Sequence, residues 1–144
     1  MNSLQYIKMV TTVSEQIAKR KDQYEIPALS RLRGEISIRV HNRGENDEGK
    51  TRAYKSRAYV KKYNKKDPVS MVKDGDLKRD YAHYIDGDDN VLGFRQDLSI
   101  KKILSEEKRR GGNLFLPNEE EIAITQRSLV RFINRLQRNI INGY

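Results

Sequence analysis

The residues with the clearest chemical potential lie between Asp80 and Asn90. Asp86, Asp88 and Asn90 alternate as oxygen ligands do in a calcium-binding loop, but the pattern does not continue to a closing glutamate. His83 is close enough in sequence to Asp80 or Asp86 to form an acid–base pair, yet it falls within a strand-like pattern. We therefore interpret the aspartates as a polar turn and His83 as a structural residue.

Other signatures of catalysis or metal binding are missing from the sequence. It has two histidines and no cysteine, which leaves no thiolate ligands and no credible transition-metal site. It has neither a P-loop nor a dinucleotide-binding glycine pattern. The sequence predicts no enzymatic activity, no cofactor and no metal. No apolar run approaches the roughly 20 residues that cross a bilayer, so we expect a soluble protein that makes no membrane contact.

The positive charge is concentrated in one short segment. Residues 50–66 hold eight of the 29 Lys and Arg residues and none of the 20 Asp and Glu residues, and the remainder of the chain is close to neutral. The candidate contact residues are Lys50, Arg52, Lys55, Arg57, Lys61, Lys62, Lys65 and Lys66. This distribution predicts one local anionic contact on the surface.

Tyrosines are interleaved with these cations, which suits phosphate contacts combined with stacking on bases. Two other interpretations remain open. The segment can bind an acidic patch on a protein partner, or its lysines can keep a loop solvated while Tyr59 and Tyr63 pack on the protein. Residues 58–63 have the composition of a short helix that places these two tyrosines on one side.

The elements that would position these residues centre on a predicted β-hairpin. Leu77–Ile85 alternates between two faces, Asp86–Asn90 is a turn cluster, and Val91–Phe94 is a short apolar run. Asn113–Leu116 is extended and can add a third strand. We expect an α+β fold in which a small antiparallel sheet, at about 76–95 plus 113–116, packs against several helices. The chain is predicted to be one domain over 1–144, with a basic loop or arm at about 43–69.

Helices are predicted on both sides of the hairpin. Residues 3–20 show an apolar stripe at helical spacing. Residues 98–110 have Asp97 as the expected N-cap, cations in the last turn and Gly111-Gly112 as a stop signal. Residues 24–42 fit a helix with Pro27 in its first turn, although the residues after Gly34 also alternate like a strand; we favour the helix. His41 is then expected at the surface near the helix end.

The last helix begins after Asn118, which forms a capping pattern with Glu121. Arg127, Arg131 and Arg135 repeat every four residues along one face of this helix. This row is interpreted as a solvated face or as a candidate contact with another subunit or with nucleic acid.

A resemblance to a known family rests on the order of several short motifs. They are the loop Asn46–Lys50, the segment Gly75–Arg79, the strand Val91–Phe94 and the stretch Arg110–Leu116, followed by a helix that starts with glutamates. This order, over about residues 35–140, resembles the small morphogenesis proteins of tailed double-stranded DNA phages, of the tail-completion and head–tail joining type. The loop differs from the family pattern because it lacks a proline and a tryptophan, and Asp-Gly-Asp replaces Thr-Gly before Leu77.

The resemblance implies a structural virion protein of the head–tail connector, neck or tail-completion region. It implies a homo-oligomeric ring around the DNA channel that contacts portal, connector or tail proteins, with possible non-specific contact to the genome. The location would be the virion, at the head–tail junction, after assembly in the host cytoplasm. Joining, stopper and tail-terminator roles remain open. The alternative is a nucleic-acid-binding protein that uses Lys50–Lys66, and a small hydrolase is a weaker third reading.

Overall fold

The protein folds as an α+β structure in which a two-stranded antiparallel sheet packs against helices. The computed structural model describes residues 2–52, 56–64 and 76–143. In chain order the elements are α1 (Ser3–Lys19), α2 (Asp22–Ser37), a π-helical turn (Ile38–Asn42), α3 (Arg57–Tyr63), α4 (Asp76–Asp80), β1 (Tyr81–Asp86), β2 (Asp89–Phe94), α5 (Asp97–Arg110) and α6 (Glu119–Asn142). The predicted fold class is confirmed.

Helices α1 and α6 begin at side chains that satisfy their free backbone N–H groups. Asn2 and Gln5 form a reciprocal capping box at α1, and Asn118 and Glu121 form another at α6. The predicted cap of α6 is therefore confirmed. At α5 the N-cap is Gln96, without a side-chain cap hydrogen bond, so the prediction of Asp97 was wrong by one residue.

Helix α2 runs antiparallel to α6 and forms the main helical contact of the fold. Tyr24, near the start of α2, packs against Leu136 and Ile140 at the end of α6, where Val13 of α1 completes the cluster. At the opposite end, Arg39 of the π-helical turn reaches Glu121 at the start of α6. The helix favoured over 24–42 is confirmed, although it starts earlier than predicted and Pro27 lies beyond its first turn.

A second core region joins the sheet to α2 and to the segment before α6. The Phe115 ring lies 4.7 Å from the Tyr81 ring and 4.8 Å from the Phe94 ring, measured between centroids. Phe94 and Phe115 also pack against a third cluster formed by Leu77, Ile103 and Leu114. These two aromatic residues therefore connect the core of the sheet to the core beneath α5.

The hairpin is shorter and tighter than the sequence predicted. Residues 76–80 form helix α4, because β2 ends at Phe94, opposite Tyr81, and leaves no strand with which they could pair. The connection is only Gly87-Asp88 rather than about five residues. Gly87 has φ +62° and Asp88 has a negative φ, which is the pattern of a type II′ hairpin turn.

The predicted third strand at 113–116 is wrong: this segment is irregular. Its backbone bonds to three different parts of the protein instead of to a sheet edge. The Asn113 carbonyl accepts the Asp47 N–H, the Leu114 N–H donates to the Glu107 carboxylate, and the Leu116 carbonyl accepts from Arg39. These bonds satisfy polar groups that a strand would have paired along a ladder.

His41 was predicted at the surface and is instead buried, with 5% of its surface exposed. It follows Arg39 and Val40 in the π-helical turn, and all three are buried because the turn is enclosed by neighbouring segments. The His41 ring lies 5.8 Å from the Phe115 ring. The sequence pattern indicates that His41 lies near a helix end. It cannot show that segments distant in the chain cover this end and bury the side chain.

Candidate interaction surfaces

Helix α3 carries three exposed cations of the basic segment. Ser56 caps it by accepting the Tyr59 N–H at 3.1 Å, and Asn64 ends it in the left-handed conformation at φ +48°. None of its residues is buried, and it presents Arg57, Lys61 and Lys62 to solvent. The structure therefore brings three of the eight candidate cations onto one short helix.

Two tyrosines on α3 form a pair beside these cations. The rings of Tyr59 and Tyr63 lie 4.8 Å apart at 46°, and the side chains remain 43% and 53% exposed. Lys62 Nζ lies 5.2 Å from the centre of the Tyr63 ring, within cation–π range. The predicted placement of both tyrosines on one side of a short helix is confirmed.

The other candidate cations have different surroundings. Lys50 forms an exposed ion pair with Glu48 at 2.9 Å, and this hydrogen-bonded contact raises the pKa of the Lys50 ammonium. Lys50 thus meets an anion within its own loop. Lys55, Lys65 and Lys66 lie outside the described residues.

Arg52 is inside the fold rather than on the candidate surface. Only 4% of it is exposed; its Nη2 donates to the Val40 carbonyl at 3.3 Å, and its Nη1 lies 3.9 Å from Glu106 Oε1. The same carboxylate contacts Arg110. Arg52 therefore ties the loop to the π-helical turn and α5, a role that composition cannot distinguish from a surface contact.

The first part of the predicted arm, residues 43–52, packs on the body of the protein. Asn46 is buried, and its Oδ1 accepts the N–H groups of Glu48 and Lys50, both at 3.0 Å. Asp47 exchanges hydrogen bonds with Asn113: its own N–H donates to the Asn113 carbonyl at 2.8 Å, and its Oδ1 accepts the Asn113 N–H at 2.9 Å. Partial burial tends to raise the pKa of the Asp47 carboxyl, but the hydrogen bonds from Asn113 outweigh it and lower the pKa.

A buried ion pair that sequence reasoning did not identify lies next to this loop. Arg39 is fully buried; its Nε donates to Glu121 Oε1 at 2.6 Å and its Nη2 to Oε2 at 3.3 Å. Glu121 also accepts the Asn118 N–H, and Arg39 reaches the carbonyls of Glu45 and Leu116. The capping pattern pointed to Glu121, but no local signal pairs it with a residue 82 positions earlier. This pair has a structural role.

The arginine row of α6 lies on the solvent side of the helix, where Arg127, Arg131 and Arg135 are all exposed. The Arg135 guanidinium lies 5.9 Å from the centre of the Phe132 ring on the same helix. The row is therefore accessible both as a solvated face and as a contact surface.

The first two turns of α1 expose apolar side chains in water. Leu4, Tyr6, Ile7 and Val10 are all exposed, whereas Val13, one turn further on, is buried against α6. A cluster of exposed apolar side chains at one helix end is typical of a surface that another molecule covers.

The hairpin tip has the opposite charge to α3. Asp86, Asp88 and Asp89 are exposed at the turn, and Ile85 beside them is 65% exposed. Lys21 contacts the tip by donating to the carbonyl oxygen of Asp88. Below the tip, Asn90 donates from Nδ2 to Asp22 at 2.8 Å and to Glu25 at 2.7 Å, which joins the hairpin to the start of α2.

The acid and base groups considered for catalysis make structural contacts. An open polar cavity of about 480 Å³ is lined by Arg79, Asp80, Ala82, His83, Arg95 and Gln96. Asp80 Oδ2 accepts the Gln96 N–H at 3.1 Å, and His83 Nε2 lies 2.8 Å from Asn90 Oδ1. Because Asn90 directs its amide nitrogen at two carboxylates, its oxygen faces His83, which therefore carries its proton on Nε2.

Within the described ranges, no three or more His, Asp and Glu side chains are grouped to hold a metal ion. No helix of the described part combines the length and apolar composition needed to cross a membrane. Comparisons with protein-family models, with curated proteins and with solved structures found no match to this chain.

Proposed function

We propose that the chain is a structural subunit of the head–tail junction of a tailed double-stranded DNA phage, assembling as a homo-oligomeric ring around the DNA channel. The observation that carries the proposal is the order of the motifs that resemble those of the tail-completion and head–tail joining proteins. These motifs are separated in sequence but meet in the fold. The Asn46–Lys50 loop bonds to Asn113, Leu77 packs with Leu114, and Phe94 contacts Phe115.

The convergence of these segments supports a shared scaffold rather than a chance succession of short patterns. Each segment alone is a common turn, strand or loop signal. Together they contribute side chains to the two clusters that share Phe94 and Phe115, and they form the loop contact at Asn113.

The distribution of apolar and charged surface supports assembly with other subunits. The start of α1 exposes Leu4, Tyr6, Ile7 and Val10, which a neighbouring subunit would remove from water. A ring needs two different surfaces on each subunit that fit one another. The basic helix α3 and the arginine row of α6 are separate charged surfaces available to such neighbours, to portal or tail proteins, or to DNA.

A second candidate is a nucleic-acid-binding protein, and α3 is the specific observation that favours it. The paired rings of Tyr59 and Tyr63 are exposed among cations, an arrangement that suits bases and phosphates. This function predicts a monomer whose affinity for DNA falls steeply with salt, and which is absent from phage particles.

Mass measurement separates the two candidates. We expect the purified protein to form ring-shaped oligomers in sedimentation and electron microscopy, and mass spectrometry of purified particles to detect this chain. A protein that stays monomeric at every concentration, binds DNA in a salt-dependent way and is missing from particles would refute the proposal.

Neutralising the basic segment tests its part in this role. Changing Lys61, Lys62, Lys65 and Lys66 together to glutamine is expected to impair particle assembly or DNA retention, since these residues supply half of the local positive charge. The control changes Lys101 and Lys102, an exposed pair on α5, to glutamine. Unchanged particle yield and infectivity in the first variant would count against a role for the segment.

A further inference from the structure

The hairpin tip carries three aspartates, and Lys21, which donates to the Asp88 carbonyl oxygen, offsets part of their negative charge. Asp86 and Asp89 face each other directly across the two strands, and Asp88 lies in the turn between them. Like charges in directly opposed positions destabilise a hairpin. No ion pair among the described residues includes any of these three carboxylates.

A metal ion does not account for this charge, because the three aspartates do not form a group that could hold one. The tip also exposes Ile85, which adjoins Asp86 and has 65% of its surface in contact with solvent. A cationic partner that also offers apolar surface would relieve the repulsion and cover Ile85. The tip is thus complementary to a positively charged surface that contains aromatic or aliphatic groups.

Helix α3 has the complementary composition on the same chain. It carries the cations Arg57, Lys61 and Lys62, has no acidic residue, and exposes the paired rings of Tyr59 and Tyr63. Three positive charges with two exposed aromatic rings match three negative charges with one exposed isoleucine. The two surfaces differ from one another, so a contact between copies would be head-to-tail and could repeat from subunit to subunit.

We propose that the hairpin tip of one copy docks on α3 of the next copy, with Arg57, Lys61 and Lys62 facing Asp86, Asp88 and Asp89. Ile85 packs against Tyr59 and Tyr63 in this contact. The inference rests on the proposed ring assembly and names the subunit surfaces that form it. The contact combines desolvated apolar groups with exposed charge pairs, so raising the salt concentration weakens self-association without abolishing it.

The test reverses the charge of each surface in turn. One variant carries Lys61→Glu and Lys62→Glu, and a second carries Asp88→Lys and Asp89→Lys. Each is expected to lower the self-association constant about tenfold or more in sedimentation at low salt, because two pairs become repulsive. The control is Lys101→Glu with Lys102→Glu, which changes the same charge on an exposed pair of α5 and is expected to have no such effect.

The decisive measurement combines the two reversals in one chain. The fourfold variant restores opposite charges across the contact and is expected to recover most of the parental self-association, and an equimolar mixture of the two single-surface variants should recover it as well. A further variant with Lys61→Gln and Lys62→Gln covers the possibility that glutamates at the end of α3 unfold the helix. It is expected to weaken self-association by a smaller factor.

The outcomes distinguish this contact from the proposed function. If the parent forms rings and is present in particles but neither reversal changes its self-association, the contact is overturned and the ring proposal stands. If the α3 reversal abolishes DNA binding while self-association is unchanged, α3 is a DNA surface and the contact is likewise overturned. A parent that never self-associates and is absent from particles overturns both. Recovery in the fourfold variant supports the contact.

Discussion

Substituting Gly112 by alanine tests the contact between the Asn46 loop and the segment before α6. Gly112 has φ +71°, a left-handed conformation that costs an L-residue about 1–2 kcal/mol. An added Cβ would lie 3.0 Å from Asn46 Cγ and 3.1 Å from Asn46 Cβ, and closer still to its amide nitrogen. Asn46 cannot move aside without disturbing the two backbone hydrogen bonds that its Oδ1 accepts.

Gly49 provides a control within the Asn46 loop. It has φ +75°, and an added Cβ there meets nothing within 4 Å. Both substitutions therefore place an L-residue at positive φ, and only Gly112→Ala also displaces Asn46. Loss of two hydrogen bonds, at about 0.5–1.5 kcal/mol each, makes Gly112→Ala more destabilising than Gly49→Ala by about 2 kcal/mol.

The assay is urea unfolding followed by circular dichroism. With a slope of about 2 kcal/mol per molar urea, the midpoint of Gly112→Ala should lie about 1 M below that of Gly49→Ala. A double-mutant cycle with Asn46→Ala supplies a second readout, since that substitution should cost less in the Gly112→Ala background than in the parent. Equal midpoints for the two alanine variants would refute the reasoning.

Two further predictions concern ionisable groups. Arg39→Met leaves the Glu121 carboxylate buried without its cation and should lower the free energy of unfolding by about 3–5 kcal/mol. Arg31→Met, which breaks an exposed pair with Glu35, should cost at most about 0.5 kcal/mol, and similar urea midpoints for these variants would contradict the assigned role of Arg39. The lowered pKa of Asp47 means that its stabilising contribution is present above the ordinary aspartate pKa of 3.8 and is lost as the pH falls through the lower folded-state value. Asp47→Asn should therefore flatten the acid side of the plot of thermal midpoint against pH, and an unchanged slope below about pH 4 would rule out this linkage.

Burial of Tyr81 also makes the stability of the protein depend on pH in the alkaline range. The pKa of the Tyr81 phenol is raised well above its usual range, first by desolvation and then by the nearby Glu121 carboxylate. Arg39 and Arg33 oppose this shift without cancelling it. The Tyr81 phenol therefore stays protonated in the folded protein while the unfolded chain ionises, so stability falls as the pH rises above the ordinary tyrosine pKa of 10.0.

The helices were predicted well because their signals are local. The box Asn118–Glu121 needs only residues three apart, and the apolar stripe of α6 repeats along one helix face. The short helix α3 was also recognisable, because Tyr59 and Tyr63 lie one turn apart. The hairpin was located correctly, but the extent of its first strand was not: strand length depends on a partner that here ends at Phe94.

The candidate surface was only partly predictable for a related reason. Charge density along the chain identifies the segment from Lys50 to Lys66, but it treats Arg52 and Arg57 alike. The fold buries Arg52 against Val40 and Glu106 and leaves Arg57 exposed. Which cation faces solvent is set by segments distant in sequence, so composition could not separate the two.

The amino-acid sequence by itself determined the start of α6, the position of the hairpin and the concentration of positive charge in one segment. Each of these depends on residues a few positions apart or on composition alone. Only the tertiary structure decided that Arg39 meets Glu121, that Asn46 meets Gly112, and that residues 113–116 join loops instead of a sheet. The contacts of Asp47 with Asn113 and of Arg39 with Glu121 connect positions 66 and 82 residues apart. They form because burial requires every polar group to find a partner, wherever in the chain that partner lies.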